Sequence, residues 1–355
     1  MTIPIRNLYY LFCYAWERFP EGGVAEVGVD ESPDLPNLFA KMLINGSNRL
    51  LRRGLDRGYR SFVEETRAPR GKMLLDEIVK GQTLRRGAVI CSFDDLTVDV
   101  LHNQLIKATA LQLSRTRGLQ SAMAHELRIL AQRMAGVSDI RAQPSLFRRV
   151  QLSRNTGQYR PLLKLCELVV RNQIPDQDGL GNHFADILSD EVTMSALFED
   201  FLRCFYQLEQ SRFRSVGAET LKWSGHAMNE ASRPHLPSMI TDITMRSSER
   251  IVVMDAKFYK DVLVSGHGAA KVHSGNLYQM LAYLQHTALS ASAPVDGILI
   301  YPCNGLSTRL HYRLLDRDVQ IVTVDLSQPW QGIHDELLDI LSFDPAAAEA
   351  HTLVA

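Results

Sequence analysis

Apolar positions along this chain repeat with two different periods, and the period changes from segment to segment. Met194, Leu197, Phe198, Phe201, Leu202, Phe205 and Leu208 follow the three- and four-residue steps of an amphipathic helix. Leu277, Met280, Leu281 and Leu284 repeat that stripe further on. Helices are also expected over 98–113, 122–134, 162–170 and 333–341. Strands are expected over 88–93, 297–301 and 319–324, where short apolar runs replace the helical stripe. The apolar stretch 8–16 reads as a short buried helix, with Asn7 as its cap.

Punctuation divides these elements. The segment 173–182 has linker composition, and Ser265-Gly266-His267-Gly268 reads as a turn. The tail from Asp344 reads as frayed. The expected architecture is therefore α/β in two domains. An N-terminal mixed α+β domain takes residues 1–180, including the helix at 8–16. A second domain takes 181–355, in the order helix, strand pair, helix, strand, strand, helix. That order suits a central mixed sheet flanked by helices.

The strand pair carries the candidate chemistry. Ile251-Val252-Val253-Met254-Asp255-Ala256-Lys257 is an apolar strand that ends in Asp-x-Lys. Asp242 lies on the partner strand before it, across the polar hairpin turn 246–250. Side chains at i and i+2 share a strand face, so Asp255 and Lys257 project together, roughly 6.6–7 Å apart. Ile251 and Val253 share that face, which begins apolar and turns charged at one end. A carboxylate and an ammonium there need a reason. A Mg²⁺ ion held by Asp242 and Asp255 is one, because hard cations take carboxylate oxygens and keep several waters. An exposed ion pair at a strand end is another, and the tripeptide alone should occur about once by chance in a chain this long. Gln279 and Tyr283 are neighbours on one face of the next helix, as a polar edge or as part of a site. Glu199 borders the upstream stripe, where it either reaches inward as a third ligand or stays solvated.

These residues resemble the PD-(D/E)xK nuclease superfamily, in its branch with a Gln-x-x-x-Tyr helix. The segment from Ile3 to Trp16, the segment from Leu236 to Glu249, Asn276-Leu277-Tyr278-Gln279, Leu299-Ile300-Tyr301-Pro302 and His334 to Ile340 resemble the McrC family, the nuclease subunits of McrBC restriction systems. The resemblance implies a restriction-endonuclease-like second domain and Mg²⁺-dependent hydrolysis of double-stranded DNA. It implies Asp242 and Asp255 as metal ligands and Lys257 as the catalytic lysine, with Gln279 and Tyr283 matching more loosely. It also implies a partner, a McrB-like AAA+ GTPase hexamer. That ring recognises modified cytosine sites, is engaged by the N-terminal domain, and has its GTP hydrolysis stimulated.

Composition changes this picture little. The chain has 355 residues, enough for two cores. Lys and Arg total 39 against 40 Asp and Glu, so no global field draws DNA to it. A partner that holds the DNA explains that balance. Arg49, Arg52, Arg53, Arg57 and Arg60, followed by Arg67, Arg70, Lys72, Lys80, Arg85 and Arg86, form a basic stretch. It is either a solvated face or a phosphate-contacting one. Five cysteines without CxxC spacing give no zinc or redox motif and suit a reducing cytoplasm. Cys13, Cys166 and Cys204 read as small core residues. The histidines form no HExxH cluster, and His267 and His273 read as incidental loop residues. No stretch is long enough to span a bilayer, and no basic leader or cleavage site marks a targeting segment. There is no P-loop, so GTP binding belongs to the partner. Two other readings stay open: a nuclease-like scaffold that only activates the GTPase, and a free-standing repair nuclease. Two carboxylates do not choose between Mg²⁺ and Mn²⁺.

Overall fold

The computed structural model describes residues 3–16, 34–175, 182–184, 190–225, 228–259, 263–264, 271–303 and 307–342. The turn at 265–268 with His267, and the tail from 344, lie outside the described residues. Two compact units emerge, Ser32–Ala185 on one hand and Met1–Glu31 with Asp186–Ala355 on the other.

The first helix, α1 (Ile5–Ala15), therefore joins the second unit and not the first, which corrects the expected 1–180 boundary. The reason is its burial. Every residue from Asn7 to Ala15 is buried, so the helix needs neighbours all round. Tyr10 stacks on Trp330 with centroids 4.2 Å apart, and Tyr14 donates to Glu209 Oε1 at 2.7 Å. Asn7 is not a cap: it lies within the helix, and its Nδ2 donates to the carbonyls of Leu326 and Gln328, each at 2.8 Å.

In the Ser32–Ala185 unit, α2 (Leu35–Arg53) starts at Asp34, whose side chain accepts from Asn37 N at 3.0 Å. Three strands follow, β1 (Gly58–Thr66), β2 (Lys72–Met73) and β3 (Val89–Thr97), with α3 (Leu75–Gly81) between the last two. They form an antiparallel sheet in the order β1-β3-β2. Then come α4 (Leu101–Leu113), α5 (Ser121–Arg133), α6 (Pro144–Phe147) and α7 (Arg160–Asn172). Helices α2, α4, α5 and α7 pack on one another around Leu38, Leu43, Leu105, Leu127 and Cys166. The helix expected from 98 begins at Leu101, because β3 runs to Thr97 and the Asn103 amide bonds the Val98 carbonyl in the bend that follows. The expected linker is partly structured: β4 (Gln173–Pro175) pairs antiparallel with β5 (Asn182–Phe184), and 176–181 lie outside the described residues. Three cations of the basic stretch are paired with carboxylates of the same unit. Arg60 pairs with Asp99, Arg70 with Glu64 and Arg86 with Glu65.

The second unit is built on a mixed six-stranded sheet. Helix α8 (Glu191–Glu209) begins at the cap Asp190, and its apolar stripe is buried from Met194 to Phe205, while Leu208 at its end is exposed. The strands are β6 (Ser215–Gly217), the small pair β7 (Thr220–Leu221) and β8 (Met239–Ile240), β9 (Ile243–Arg246) and β10 (Ile251–Ala256). A second small pair, β11 (Leu263–Val264) and β12 (Lys271–Val272), precedes α9 (Ser274–Ala288). Next come β13 (Val295–Cys303), β14 (Arg309–Leu314), β15 (Arg317–Asp325) and α10 (Trp330–Ser342). The sheet order is β14-β15-β13-β10-β9-β6. Strands β10, β13 and β15 are parallel, which buries β10 on both faces and explains its unbroken apolar run. The turn expected over 246–250 closes over 247–250, since Arg246 still belongs to β9, with Ser247 Oγ donating to the Arg250 carbonyl at 2.9 Å.

Odd positions of β10 face α9: Ile251 and Val253 share a core with Met280, Tyr283 and Leu284. Of the even positions beyond its end, Phe258 meets Phe198 of α8. Gly297 on β13 brings α9 close, since a Cβ there would come within 2.8 Å of Met280 Sδ. The cysteines at 13, 166 and 204 are buried, as expected of small core residues, and so is Cys91. Among the described residues, no helix is long and apolar enough to cross a membrane.

Candidate active site

Strand β10 delivers Asp255 to a fully buried position, 0% exposed, on the face that α9 covers. The backbone continues as Lys257 N donates to the Ile300 carbonyl at 2.9 Å, so the Lys257 side chain returns to the same face. Its Nζ lies 2.7 Å from Asp255 Oδ2. This is an ion pair without hydrogen-bond alignment, and Asp255 Oδ1 has no hydrogen-bond partner among the described residues.

Asp242 arrives differently from the expectation. It sits in the bend between β8 and β9, not within a strand. Its Oδ2 accepts from Ala256 N at 2.8 Å, taking the place of a ladder carbonyl at the end of β10. The side chain thus terminates the β9–β10 pairing, which stops at Ile243 opposite Met254.

Gln279 and Tyr283 are brought to the site by α9. Lys257 Nζ donates to Gln279 Oε1 at 3.1 Å, and Gln279 Nε2 donates to the Tyr283 hydroxyl at 2.8 Å. Tyr283 in turn donates to the Ile240 carbonyl at 2.7 Å. The i, i+4 pair is a relay that fixes the lysine head against a main-chain atom two residues before Asp242.

Glu199 stands near the carboxylates but is paired with Arg203. Arg203, which sequence reasoning missed, also bonds Asp200 Oδ1 at 2.9 Å and the Asp242 carbonyl at 3.0 Å. The available signal was its spacing, four residues after Glu199 and three after Asp200. Asn276 and Tyr301 were missed as well. They bond each other at 2.9 Å, and Tyr301 sits close enough to feel the Asp255 and Lys257 charges. His273 packs its ring on Tyr259 at 5.4 Å.

Electrostatics follow from this crowding. Burial pushes the Asp255 carboxyl up to about 7, helped by the Asp242 charge and opposed by Lys257. Burial also raises Asp242, against the Ala256 N–H and the cations of Lys257 and Arg203. Glu199 is raised by burial and by Asp242, with Arg203 opposing. Burial works against the Lys257 charge, yet Asp255 and Asp242 hold it above the ordinary lysine value.

Among the described residues no group of three or more His, Cys, Asp or Glu is arranged to hold a metal. The residues present still fit a hard cation. Among the described residues the buried Asp255 Oδ1 has no hydrogen-bond partner, a costly state for an ionised oxygen, and Mg²⁺ is satisfied by one or two carboxylates plus waters. Carboxylate oxygens, without thiolate or imidazole beside them among the described residues, are the donor chemistry for Mg²⁺ or Mn²⁺.

Comparison with known proteins agrees on the lineage. A family model described as McrBC 5-methylcytosine restriction system component matches residues 6–302. The type IV methyl-directed restriction enzyme EcoKMcrBC of Escherichia coli (strain K12) is 33% identical over 339 residues, 96% of this chain and 97% of that protein. Among solved structures, a half-complex of Thermococcus gammatolerans McrB AAA+ hexamers with bound McrC matches with a TM-score of 0.53. At 18% identity, over 95% of this chain and 76% of that one, this is a likeness of fold. With a family match over most of its length and a near full-length relative, the chain belongs to the McrBC 5-methylcytosine restriction system component family.

Proposed function

We propose that this chain is the endonuclease subunit of a GTP-dependent, modification-dependent restriction complex, and that its second unit is a PD-(D/E)xK nuclease. One observation carries the reading: Asp242, Asp255 and Lys257 converge at the end of a buried parallel strand, and Asp255 Oδ1 has no hydrogen-bond partner among the described residues.

Asp242 and Asp255 are the residues that would hold Mg²⁺, with Glu199 in reserve behind Arg203. When bound, the ion supplies Lewis acidity toward a phosphate and its attacking water. Lys257, held cationic by the two carboxylates, orients that water or offsets charge growing on the phosphate. Gln279 and Tyr283 fix the lysine head, so its position is set before substrate arrives. Burial of Asp255 keeps bulk water from competing.

The partner is a McrB-like AAA+ GTPase hexamer, which recognises modified cytosines in double-stranded DNA and whose GTP turnover this chain stimulates. We assign the Ser32–Ala185 unit to that contact. Its β1–β3 sheet exposes Tyr59 at 79% and Val63 at 62%, an apolar surface that a monomer gains little from displaying. The cytoplasm, where DNA and reduced cysteines coexist, is the proposed setting.

The test is Asp255→Ala assayed with the partner GTPase present. DNA cleavage should disappear while GTPase stimulation survives. Cleavage at the wild-type level would remove Asp255 from the site. Robust cleavage without the partner would favour a free-standing nuclease.

A further inference from the structure

Arg203 uses every face of its guanidinium. Nε donates to the Asp242 carbonyl at 3.0 Å, one terminal nitrogen bonds Asp200 Oδ1 at 2.9 Å, and the other bonds Glu199. Its side chain is 21% exposed, so these bonds are made largely out of water. Asp242 is consequently held at two points. Its main-chain oxygen is tied to α8 through Arg203, and its Oδ2 is tied to β10 through Ala256 N.

Asp242 needs such support because of where it lies. The bend between β8 and β9 gives it no ladder partner on either side, unlike Asp255, which stands within a buried strand. A carboxylate in a bend has backbone freedom that must be lost when it closes on a cation. Thr241 anchors the bend from the other direction, through its N–H to the Glu219 carbonyl at 3.0 Å and its hydroxyl to Thr244. Arg203 supplies the tie from the helix side. A guanidinium serves this task where an ammonium does not, since its planar fork addresses three oxygens in fixed directions.

We infer that Arg203 is a positioning residue of the metal centre: it locks the Asp242 bend in its ligating geometry and holds Glu199 beside the centre without letting it collapse onto Asp242. The inference rests on the nuclease reading of the site. Arg203 touches no reacting atom and acts only through these carboxylates.

The test titrates Mn²⁺ alone into the full-length chain by calorimetry, comparing wild type, Arg203→Lys and Arg203→Gln. Arg203→Gln should weaken Mn²⁺ at least tenfold, with Arg203→Lys between it and wild type, because charge returns but the three-way fork does not. In cleavage assays with the partner, the Mg²⁺ concentration for half-maximal rate should rise by a similar factor while KM for DNA stays unchanged. If Arg203→Gln does not fold, judged by circular dichroism, Arg203→Lys carries the test. Mn²⁺ affinity within twofold of wild type in the folded variants overturns the inference. Absence of Mn²⁺ binding in wild type overturns the metal reading of the site and this inference with it.

Discussion

Lys257 Nζ donates a hydrogen bond to Gln279 Oε1 at 3.1 Å, joining the end of β10 to the middle of α9. The bond explains the Gln-x-x-x-Tyr spacing in physical terms: one turn of helix places the amide over the lysine and the phenol behind the amide. Gln279→Ala should therefore lower the single-turnover cleavage rate about 10²-fold, the scale associated with a misplaced catalytic group. Tyr283→Phe should fall less, since the amide remains but loses its anchor. Both variants should melt close to wild type, and unchanged rates would detach the relay from catalysis.

The raised Asp255 carboxyl gives a pH dependence with a definite sign. Its folded value, about 7, lies above the ordinary 3.8, so the folded state binds the proton more tightly than the unfolded chain does. The metal-free protein should lose this group's contribution to stability as pH rises through that window. Cation binding requires the ionised form, so Mn²⁺ affinity should rise roughly tenfold per pH unit below about 7 and level off above it. Asp255→Asn should flatten the stability slope in denaturant titrations run across that range. A slope that survives in the variant would place its origin elsewhere.

Gly297 controls how closely α9 approaches the sheet. Gly297→Val puts a branched side chain where a Cβ alone would lie 2.8 Å from Met280 Sδ. A loss of about 1–3 kcal/mol is expected from overpacking, read from the chemical denaturation midpoint. Cleavage should fall further than stability does, because Gln279 moves with the helix. Pairing the milder Gly297→Ala with Met280→Ala should recover part of the loss, whereas additive losses would rule out that contact as the cause.

Helix α1 makes a separable prediction. Trp330→Ala removes the ring on which Tyr10 stacks and should cost about 3–5 kcal/mol. Asn7→Ala leaves the Leu326 and Gln328 carbonyls without their donor, at about 1–3 kcal/mol for each group left buried. Hydrogen exchange should show loss of protection in α1, α8 and α10, with the helices of Ser32–Ala185 unaffected. Equal loss in both units would contradict the division of the chain.

The sequence exposed elements whose periodicity is a direct image of their burial. Helix α8 has a clean stripe because only one face is covered, and β10 reads as an apolar run because both faces are. Strand β1 was invisible for the same reason in reverse: both its faces are largely exposed, so no alternation marks it. The Asp255–Lys257 face followed from strand parity alone. The bend at Asp242, the Arg203 tie and the membership of α1 did not. Each depends on a partner distant in sequence, such as Leu326 for Asn7, 319 residues away, and local pattern carries no trace of it.

That last contact sets a schedule for biogenesis. During synthesis α1 leaves the ribosome before α8, Leu326 and Trp330 do, so its resting place against them does not exist until residue 330 has been made. Until then a helix buried along almost its full length stays open to the solvent, while the intervening Ser32–Ala185 segment already has all it needs to collapse. Closing so long a loop makes docking of α1 a late and slow event. Nascent chains stalled short of residue 326 should be protease-sensitive at α1 and bound there by hydrophobic-binding chaperones.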